Sequence, residues 1–446
     1  MTDTSADVPM AAPDHSPPDP AQGDPLLDDL AWRGLLYQAT DGLSAHLSAG
    51  PARAYCGFDP TAASLHVGNL LPIMGLVRLQ QYGHRPVALV GGGTGMIGDP
   101  SGKTAERQLN TRDVVEENAR AIRAQLERFL DFDGPAAAAV ADNGEWLAPL
   151  NAIDFLRDVG KHFSVNVMLA KESVRARMET GISYTEFSYM LLQAYDFVEL
   201  RRRYGVTVQV GGSDQWGNIT AGADLVRRMD GAQAHGLTFP LLTTAGGQKF
   251  GKTEGGAVWL DPQRTSAYQF FQFWIHADDR DVGRLLRYYT QLAREEVEAL
   301  DRATAERPDR REAQHALAYD VTGRVHGAEG ARVAQELSAL LFSKGDPHAL
   351  SPAAVGALSK EFPVTEVARP ADSLTAIDVP ELFVAAGLAP SKGAARRLLE
   401  QGGLTASGRR LSAGERALAE GDLLAGRYLL LRKGARDYAL VRVTGD

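Results

Sequence analysis

The first residues that could do chemistry are His66 and Asn69, which lie three positions apart with Gly68 between them. The apolar pattern that follows predicts a helix starting near His66, so both side chains share one face of its first turn. The N–H groups and dipole at such a helix end favour an anionic oxygen, and Gly68 leaves room for a planar group. A histidine at this position is more often structural, so the pattern alone leaves both interpretations open.

Two lysines form the second candidate site. Lys249 and Lys252 stand with Thr253 between the glycine pairs at 246–247 and 255–256. Glycine on both sides favours a mobile cationic loop, which can close over phosphates and then release them. The alternative is an ordinary solvated lysine turn.

A third group of polar residues lies on a predicted helix, Thr185–Arg202. Tyr189, Gln193 and Asp196 follow the spacing i, i+4 and i+7, which places them in one narrow stripe. Their side chains are too short for a typical salt-bridge surface, and they suit a pocket that hydrogen-bonds an amine and a hydroxyl. A solvated helix face remains the alternative.

The elements that must position these residues alternate between short apolar runs and longer helical patterns, which is typical of a parallel sheet with crossover helices. The predicted strands are Ala54–Phe58, Val87–Val90, Ala137–Ala141 and Val206–Val210. The predicted helices are Leu26–Leu47, Leu70–Gln81, Arg112–Leu130 and Thr185–Arg202. Gly211 to Asn218 follows the last strand directly, and ligands of open α/β sheets bind outside the carboxyl ends of strands.

A glycine turn after Val90 resembles two nucleotide-binding motifs. Gly93-x-Gly95-x-x-Gly98 matches the dinucleotide fingerprint, which would make the chain an NAD-dependent oxidoreductase. The fingerprint also needs a helix to open there, whereas Asp99-Pro100 predicts a turn. The segment from Gly98 to Thr104 imitates a phosphate-binding loop but has three residues, not four, between its glycines. We therefore expect a glycine-rich strand end at which backbone approaches a ligand.

Composition limits the class of protein. The 446 residues carry a formal net charge of −9, which argues against a protein coated with nucleic acid. Residues 379–446 nevertheless hold 11 Lys and Arg against 7 Asp and Glu, so a local contact with a polyanion stays open. One cysteine, no zinc-site spacing and no apolar run near 18 residues predict a cytoplasmic protein without metal or membrane anchor.

Taken together, the motifs resemble those of bacterial-type tyrosyl-tRNA synthetases, which are class I aminoacyl-tRNA synthetases. The matching segments occur in family order from about Leu26 to the C-terminus: Phe58-Asp-Pro-Thr61, His66-Val-Gly-Asn69, Gly98-Asp-Pro-Ser-Gly102, Tyr189-x-x-x-Gln193-x-x-Asp196, Gly211-Gly-Ser-Asp-Gln-Trp-Gly-Asn218 and Lys249-Phe-Gly-Lys-Thr253. Asn69 replaces the second histidine of the family's first signature, His-Ile-Gly-His. An amide can donate to a phosphate oxygen but cannot carry charge.

The resemblance implies that the chain couples L-tyrosine to ATP and passes the tyrosyl group to the 3′ end of tRNA(Tyr). It implies that charge on the departing pyrophosphate is stabilised by His66, Asn69, Lys249, Lys252 and Thr253. Tyrosine would be held by Tyr55, Asp99, Tyr189, Gln193, Asp196 and Gln215. ATP would contact Cys56, Gly57, Asp59, Thr61, His66, Gly68, Asn69, Gly212, Asp214 and Lys252. Mg²⁺ would travel with the nucleotide, since the sequence shows no dedicated carboxylate cage.

Cys56 is expected to contact the ribose side of ATP, because acyl-adenylate chemistry needs no enzyme nucleophile. The C-terminal segment from Val379 to Val443 resembles the S4 RNA-binding module, with Lys392, Arg396 and Arg397 as the implied tRNA contacts. The family also implies a homodimer with Phe155–Lys171 near its interface.

The predicted organisation is a Rossmann-like parallel-sheet catalytic domain, an α-helical domain and a small α+β S4-like domain. Residues 1–25 form an acidic, proline-rich tail expected to be disordered and dispensable, and residues 26–265 form the catalytic domain. Residues 266–350 are assigned to the helical domain and 379–446 to the S4-like domain. Residues 351–378 are assigned to a linker, because prolines punctuate the stretch from about Ser351 to Pro370. A catalytically inert RNA-binding paralogue is the second alternative to a ligase.

Overall fold

The computed structural model describes residues 23–101, 109–178, 181–247, 250–253, 256–343, 345–369, 374, 377–412 and 418–445. Most of the predicted N-terminal tail lies outside these ranges, and so do Lys249 and the segment from Gly102 to Thr104. The described residues form two compact units. The first lies within Met1–Asp261 and Asp278–Glu306, and the second comprises Pro262–Ala277 and Arg307–Asp446.

The first unit is built on a six-stranded sheet in the described part of the chain. Its strands are β1 (Gln38–Ala39), β2 (Arg53–Phe58), β3 (Arg85–Val90), β4 (Ala139–Asp142), β5 (Val208–Gly212) and β6 (His235–Phe239). They lie in the order β1-β6-β5-β2-β3-β4, and only β1 runs antiparallel to its neighbour. A separate hairpin pairs β7 (Lys252–Thr253) with β8 (Gly256–Ala257).

The helices of both units are α1 (Pro25–Arg33), α2 (Leu43–Ser48), α3 (Val67–Gln81), α4 (Arg112–Leu126), α5 (Gly144–Leu147), α6 (Ala152–Asp158), α7 (Val165–Leu169), α8 (Glu172–Met178), α9 (Tyr184–Tyr204), α10 (Trp216–Asp230), α11 (Ala267–Ile275), α12 (Asp279–Tyr289), α13 (Arg294–Glu306), α14 (Glu312–Ser343), α15 (Pro352–Glu361), α16 (Val379–Ala385) and α17 (Lys392–Glu400). Within the described ranges, none of them is both long and apolar enough to cross a membrane.

The strand order creates a topological switch between β2 and β5. From β2 the chain moves outward through β3 to β4, and it then returns to add β5 and β6 on the other side of β2. Such a switch leaves a crevice at the carboxyl ends of the two central strands. The strands are apolar on both faces, as expected of a sheet covered by helices, and Val87, Phe197 and Val206 lie in the core beneath α9.

Two helices, α3 and α9, contribute residues that line this crevice. Helix α9 starts at Ser183, whose hydroxyl accepts from the Glu186 N–H, and it ends at Gly205 in the left-handed conformation, with φ 69°. Helix α3 lies close against the sheet because Gly75 has no side chain where the Phe239 ring packs. The start of α3 therefore lies beside the end of β2.

The second unit combines helices with a second sheet. Helix α11 packs along α14, which is interrupted at Gly327, where φ is 81° and ψ is 162°. The sheet contains β9 (Val364–Ala368), β10 (Leu404–Ala406), β11 (Arg409–Arg410), β12 (Tyr428–Lys433) and β13 (Asp437–Thr444). Its order is β11-β10-β12-β13-β9, with β9 parallel to β13 and the other pairs antiparallel.

All four strands predicted from the sequence are present, with shifts of one to two residues at their ends. The predicted helix Leu26–Leu47 is wrong in its middle. Gly34 ends α1 in the left-handed conformation, and the chain then adds β1 to the edge of the sheet before α2 begins. The apolar spacing continues across this break because both pieces bury leucines, such as Leu30 and Leu43.

The observed domain organisation also differs from the predicted one between residues 262 and 378. Helices α12 and α13 belong to the first unit, since buried Arg78 of α3 donates to the Arg287 and Thr290 carbonyls at the end of α12. The predicted linker contains helix α15 and strand β9. Pro352 was interpreted as a breaker, but it occupies the first turn of α15 after the N-cap Ser351, where proline is favoured.

Candidate active site

A cavity of about 810 Å³ opens at the carboxyl ends of β2, β3 and β5. Every predicted tyrosine and ATP residue whose side chain the structure describes lines it, although these residues come from five separate segments. They are Tyr55, Cys56, Gly57, Asp59, Thr61, His66, Gly68, Asn69, Asp99, Tyr189, Gln193, Asp196, Gly212, Asp214 and Gln215. Imidazole, amide, phenol and carboxyl groups therefore share one space large enough for a nucleotide and an amino acid.

His66 and Asn69 form the N-terminal cap of α3. The His66 Nδ1 atom accepts from the Gly68 N–H at 3.0 Å, and the Asn69 Oδ1 atom accepts from the His66 N–H at 3.1 Å. Because Nδ1 is an acceptor, the hydrogen of the neutral ring lies on Nε2, which can donate. The amide group of Asn69 likewise keeps its NH₂ as a donor while its oxygen serves the cap.

Gly68 is required by the same cap. A β-carbon at this position would lie 2.8 Å from Cε1 and 2.9 Å from Nδ1 of His66, so any side chain would displace the imidazole. The sequence interpretation reserved this space for a planar group of a ligand. In the structure, the imidazole itself packs against the bare backbone of Gly68.

The floor of the cavity contains a buried carboxyl group and a buried phenol. Asp196 is 1% exposed, and its oxygens accept from Trp146 Nε1 at 2.7 Å and from Asn143 Nδ2 at 2.9 Å. Burial raises the pKa of Asp196 to about 8, although both donors act in the opposite direction. The Tyr55 hydroxyl is buried with no hydrogen-bond partner among the described residues. This hydroxyl and the carboxyl group can both bind a substrate hydroxyl.

Asn143 and Trp146 were missed by the sequence analysis. Asn143 follows the last residue of β4, and it also accepts from the Gly93 N–H at 2.7 Å, so it joins the glycine turn to Asp196. The rule that functional residues follow strand ends would have selected Asn143. Nothing in the sequence pattern distinguishes Trp146 from an ordinary core tryptophan.

A second polar network lies toward the mouth of the cavity. The Gln215 amide donates to Asp99 at 2.7 Å, and the Gln193 amide donates to Gln215 at 3.2 Å. Asn218, whose side chain is buried, donates to the Gln193 carbonyl oxygen at 2.9 Å. The two glutamine amides are thereby fixed in orientation and present a defined set of oxygens and N–H groups.

Tyr189 of α9 contacts the residues that follow β2. Its hydroxyl donates to Asp59 Oδ2 at 2.9 Å, and Asp59 Oδ1 accepts from the Thr94 hydroxyl at 2.8 Å. Burial, together with the charge of Asp59, raises the pKa of Tyr189 well above its ordinary value. Tyr189 therefore remains a neutral hydrogen-bonding group at physiological pH.

Cys56 is buried in the wall of the cavity. Burial raises the pKa of its thiol to about 12, and the nearby Asp214 carboxylate acts in the same direction. The thiolate is the nucleophilic form of cysteine, so this thiol is unreactive near neutral pH.

The glycine turn after β3 does not form a dinucleotide site. Residues Thr94–Met96 form a single 3₁₀ turn, Gly98 has φ 86°, and the next described helix starts only at Arg112. The glycines serve close approach, since a β-carbon at Gly91 would overlap Asp59 and one at Gly92 would overlap Asp142. The spacing of the fingerprint is present, but in the described part of the chain the helix that begins beside this turn is α5, whose N-cap Asn143 follows β4 and not the glycines.

The segment that contains Lys249, Lys252 and Thr253 is described only in part. Phe250 lines the cavity, and the backbones of Lys252 and Thr253 form β7. Lys249 lies outside the described residues. The roles of the two lysines and Thr253 therefore remain predictions.

The predicted tRNA contacts lie in the second unit on α17. Arg396 and Arg397 are exposed, whereas the Lys392 amine pairs with Glu381 at 2.8 Å and with Asp378 at 3.6 Å. The side chains of Arg396 and Arg397 can therefore contact phosphate groups from solvent, whereas the positive charge of Lys392 is already balanced by two carboxylates.

Comparison with known proteins shows what the chain is similar to. Residues 47–343 match the family model of tRNA synthetases class I (W and Y), and residues 355–441 match that of the Tyrosine--tRNA ligase SYY-like C-terminal domain. The Tyrosine--tRNA ligase of Anaeromyxobacter dehalogenans is 56% identical over 418 residues, covering 94% of this chain and 99% of that protein. The one from Nocardia farcinica is 52% identical over 429 residues, covering 94% and 99%.

A solved structure agrees with these matches. The C-terminally truncated mitochondrial tyrosyl-tRNA synthetase of Aspergillus nidulans is 31% identical, with a TM-score of 0.65 over 71% of this chain and 94% of that one. By family model, by near full-length identity and by fold, the chain belongs to the tyrosine branch of the class I tRNA synthetases.

Proposed function

We propose that this chain is a tyrosine–tRNA ligase, which activates L-tyrosine with ATP and transfers the tyrosyl group to tRNA(Tyr). The observation that carries the proposal is the floor of the cavity, where buried Asp196 lies with the unpartnered hydroxyl of Tyr55. A substrate without a hydroxyl leaves the buried Tyr55 hydroxyl without a partner and offers no donor to Asp196, so phenylalanine is rejected. This behaviour is already known for tyrosyl-tRNA synthetases and is not a new prediction.

In the first step, a carboxylate oxygen of tyrosine attacks the α-phosphorus of ATP in line. A new O–P bond forms, the bond to the bridging oxygen breaks, and pyrophosphate leaves with the electron pair. The substrate itself is the nucleophile, which agrees with the unreactive thiol of Cys56. The protein accelerates this step by holding the two substrates in line and by stabilising charge on the leaving group.

The charge of the pyrophosphate would be stabilised by N–H donors at the start of α3. His66 Nε2 and the Asn69 amide are assigned to this role, since the capping contacts fix both side chains. Lys249, Lys252 and Thr253 would supply the remaining cationic and hydroxyl donors. Asn69 supplies a hydrogen bond without a positive charge, so the lysines carry more of the electrostatic stabilisation.

The substrate contacts follow from the two polar networks. Tyr55 and Asp196 would bind the phenol hydroxyl, while Asp99, Tyr189, Gln193 and Gln215 would hold the amino and carboxyl groups. The adenosine would lie along β2 and β5, against Cys56, Gly57, Asp59, Thr61, Gly212 and Asp214. Within the described ranges, no group of three or more His, Cys, Asp or Glu side chains could hold a metal ion. Mg²⁺ is proposed to enter as the nucleotide complex.

In the second step, a hydroxyl at the 3′ end of tRNA(Tyr) attacks the tyrosyl carbonyl and AMP leaves. Exposed Arg396 and Arg397 of α17 would contact RNA phosphates. We expect Arg396→Glu combined with Arg397→Glu to weaken tRNA charging and to flatten its salt dependence. Pyrophosphate exchange, which needs no tRNA, should be unchanged in the same variant. Unaltered charging and salt dependence would contradict this assignment.

The chain is further proposed to act in the cytoplasm as a homodimer through α6 and α7. Four apolar side chains are between 50% and 70% exposed: Leu156, Val165 and Val167 within the predicted interface Phe155–Lys171, and Ile153 just before it. This is an unusual density of apolar surface. Light scattering should give twice the chain mass for the natural protein. Val165→Asp with Val167→Asp should give a monomer, and a dimer in that variant would place the interface elsewhere.

The decisive experiment is ATP–pyrophosphate exchange with tyrosine, phenylalanine or tryptophan as the amino acid. Exchange that depends on tyrosine supports the ligase. No exchange with any of the three would favour the inert RNA-binding paralogue, and nicotinamide-dependent redox turnover would favour the oxidoreductase.

A further inference from the structure

The segment Lys249-Phe-Gly-Lys-Thr253 corresponds to the family's second signature and is called the second signature segment below. Helix α12 contacts the residues that directly precede it. The buried Asp281 carboxylate accepts from the Ala245 N–H at 2.8 Å, and the Arg284 guanidinium donates to the Thr243 carbonyl at 2.7 Å. The same nitrogen of Arg284 donates to Asp281 Oδ1 at 2.7 Å, which joins both contacts into one unit. Backbone just before Gly246 and Gly247 is thus fixed by side chains of a different element.

The phenyl ring of Phe250 provides a third contact with this helix. Its centroid lies 6.0 Å from that of Tyr289, with the two planes 20° apart. Phe250 also lines the cavity, so one side chain of the signature is packed between α12 and the substrate space.

The far end of the segment is attached to the first signature. The Val67 N–H donates to the Val258 carbonyl at 2.9 Å, and the Leu260 N–H donates to the Leu65 carbonyl at 2.9 Å. His66 and Trp259 form the bridge between these two bonds. The described residues on either side of the signature are therefore fixed by other elements: Ala245 by α12, and Val258 and Leu260 by Val67 and Leu65 at the start of α3.

The two attachments are connected through the protein. Arg78, at the end of α3 remote from His66, donates to the Thr290 carbonyl at 2.6 Å, just beyond the end of α12. Arg78 is 1% exposed, so the connection is made in the core. A closed path of contacts runs from the first signature along α3, across Arg78, back along α12 and through Asp281 to the second signature.

We propose that Asp281 and Arg284 are positioning residues that set the location of the second signature segment relative to the phosphates of bound ATP. The inference rests on the proposed ligase function. It assigns to α12 a role that none of the sequence motifs shows, because neither residue belongs to a signature or lines the cavity.

The role predicts a specific kinetic pattern. In the proposed function, tyrosine is bound by residues of β2, α9 and the turns after β3 and β5, none of which is part of α12. Loss of the α12 contacts should therefore leave the tyrosine dissociation constant within about twofold, because no tyrosine contact moves. A displacement of about 1 Å of catalytic donors can lower a rate by about 10²-fold, so we expect a fall in kcat of that size for pyrophosphate exchange.

The test compares Asp281→Ala, Arg284→Met and Arg284→Lys with the unaltered chain. Arg284 is 38% exposed, so Arg284→Met keeps the packing of its stem while it loses the bridge. Arg284→Lys retains one donor and should recover part of the rate. Asp278→Ala is the matched control, because it removes the N-cap of the same helix and leaves both contacts with the segment intact.

Tyrosine binding is measured by equilibrium dialysis on the samples used for exchange, which verifies that each variant is folded. The inference is supported if the Asp281 and Arg284 variants have a lower kcat and an unchanged tyrosine affinity. Asp278→Ala should keep a normal rate despite a lower melting temperature. Equal kcat in all variants, or equal losses of tyrosine affinity and kcat, would overturn the inference. If the unaltered chain shows no exchange with tyrosine, the proposed function fails instead.

Discussion

Trp146 offers a sharp test of how the cavity recognises a hydroxyl. Its indole N–H donates to Asp196 Oδ1 at 2.7 Å, and Asp196 is buried, so water cannot replace this donor. The substitution Trp146→Phe keeps an aromatic ring against Arg203, whose guanidinium lies 5.2 Å from the indole centroid. It therefore removes the hydrogen bond and disturbs packing little.

The magnitude follows from the charge on the acceptor. A hydrogen bond to a charged group contributes about 1.5–3 kcal/mol, which corresponds to about 10-fold to 10²-fold in affinity. Without the indole donor, the carboxylate is less stabilised and the pKa of Asp196 rises further above about 8. A protonated Asp196 accepts from the phenol of tyrosine more weakly than the carboxylate does, so the KM for tyrosine should rise by up to about that factor.

The assay is pyrophosphate exchange with tyrosine and with phenylalanine between pH 6.5 and 9. Asp196 has a raised pKa, so the carboxylate form and tyrosine affinity both increase as the pH rises toward 8. In Trp146→Phe this increase should move to higher pH, and kcat/KM for phenylalanine should stay unchanged because phenylalanine makes no hydroxyl contact. An unchanged ratio of tyrosine to phenylalanine use, with an unshifted pH profile, would refute the reasoning.

Three further predictions concern other parts of the first unit. The rings of His46 and His235 stack with their centroids 4.7 Å apart, and burial lowers the pKa of both below 6.5. As the pH falls, the unfolded chain therefore binds protons at these histidines before the folded chain does. The free energy of unfolding should accordingly decrease below pH 6.5. In urea titrations at pH 5.5 and 7.5, His235→Gln should reduce this difference, and an equal difference would contradict it. Gly68→Ala should displace the His66 ring, and because one donor is then misplaced, the kcat of exchange should fall roughly 10-fold while tyrosine still binds. A normal kcat would show that the position of the ring does not matter. Because Asp24 caps α1, Asp24→Ala should lower the free energy of unfolding in urea by about 1 kcal/mol. Deletion of residues 1–22 should leave exchange and stability unchanged, and loss of exchange in this deletion would assign the tail a role.

Much of the cavity was predictable because strand ends are visible in the sequence. Apolar runs locate the strands, and the polar residues that follow Phe58, Val90 and Val210 must then lie along one edge of the sheet. The stripe on α9 was equally visible, since helical periodicity places Tyr189, Gln193 and Asp196 together.

The partners of those residues were less accessible to sequence reasoning. The interpretation placed Asp196 beside the substrate hydroxyl, but it did not find Trp146 and Asn143, which hold the carboxylate. Trp146 comes from α5, whose contact with α9 spans 50 residues and has no local signature. The contacts of Asp281 and Arg284 with the second signature segment were missed for the same reason.

Errors at element boundaries have local causes. The predicted helix Leu26–Leu47 continued across Gly34 because the apolar period was unbroken, whereas the left-handed conformation of that glycine ends the helix. Around Ser351 the prolines suggested a linker, yet proline in a first helical turn starts a helix when a serine caps it.

The polar stripe of α9 has a consequence for which amino acids the cavity can accept. Tyr189 and Asp196 are seven positions apart on one unbroken helix, so their Cα atoms are separated by about 10 Å along its axis. Hydrogen-bonded turns set this spacing, and a point substitution that preserves the helix leaves it unaltered. The helix thus fixes the length of the amino acid that can reach both groups. A longer or shorter amino acid would be accepted only if the residue at position 189 or 196 were replaced by one of different length or hydrogen-bonding capacity.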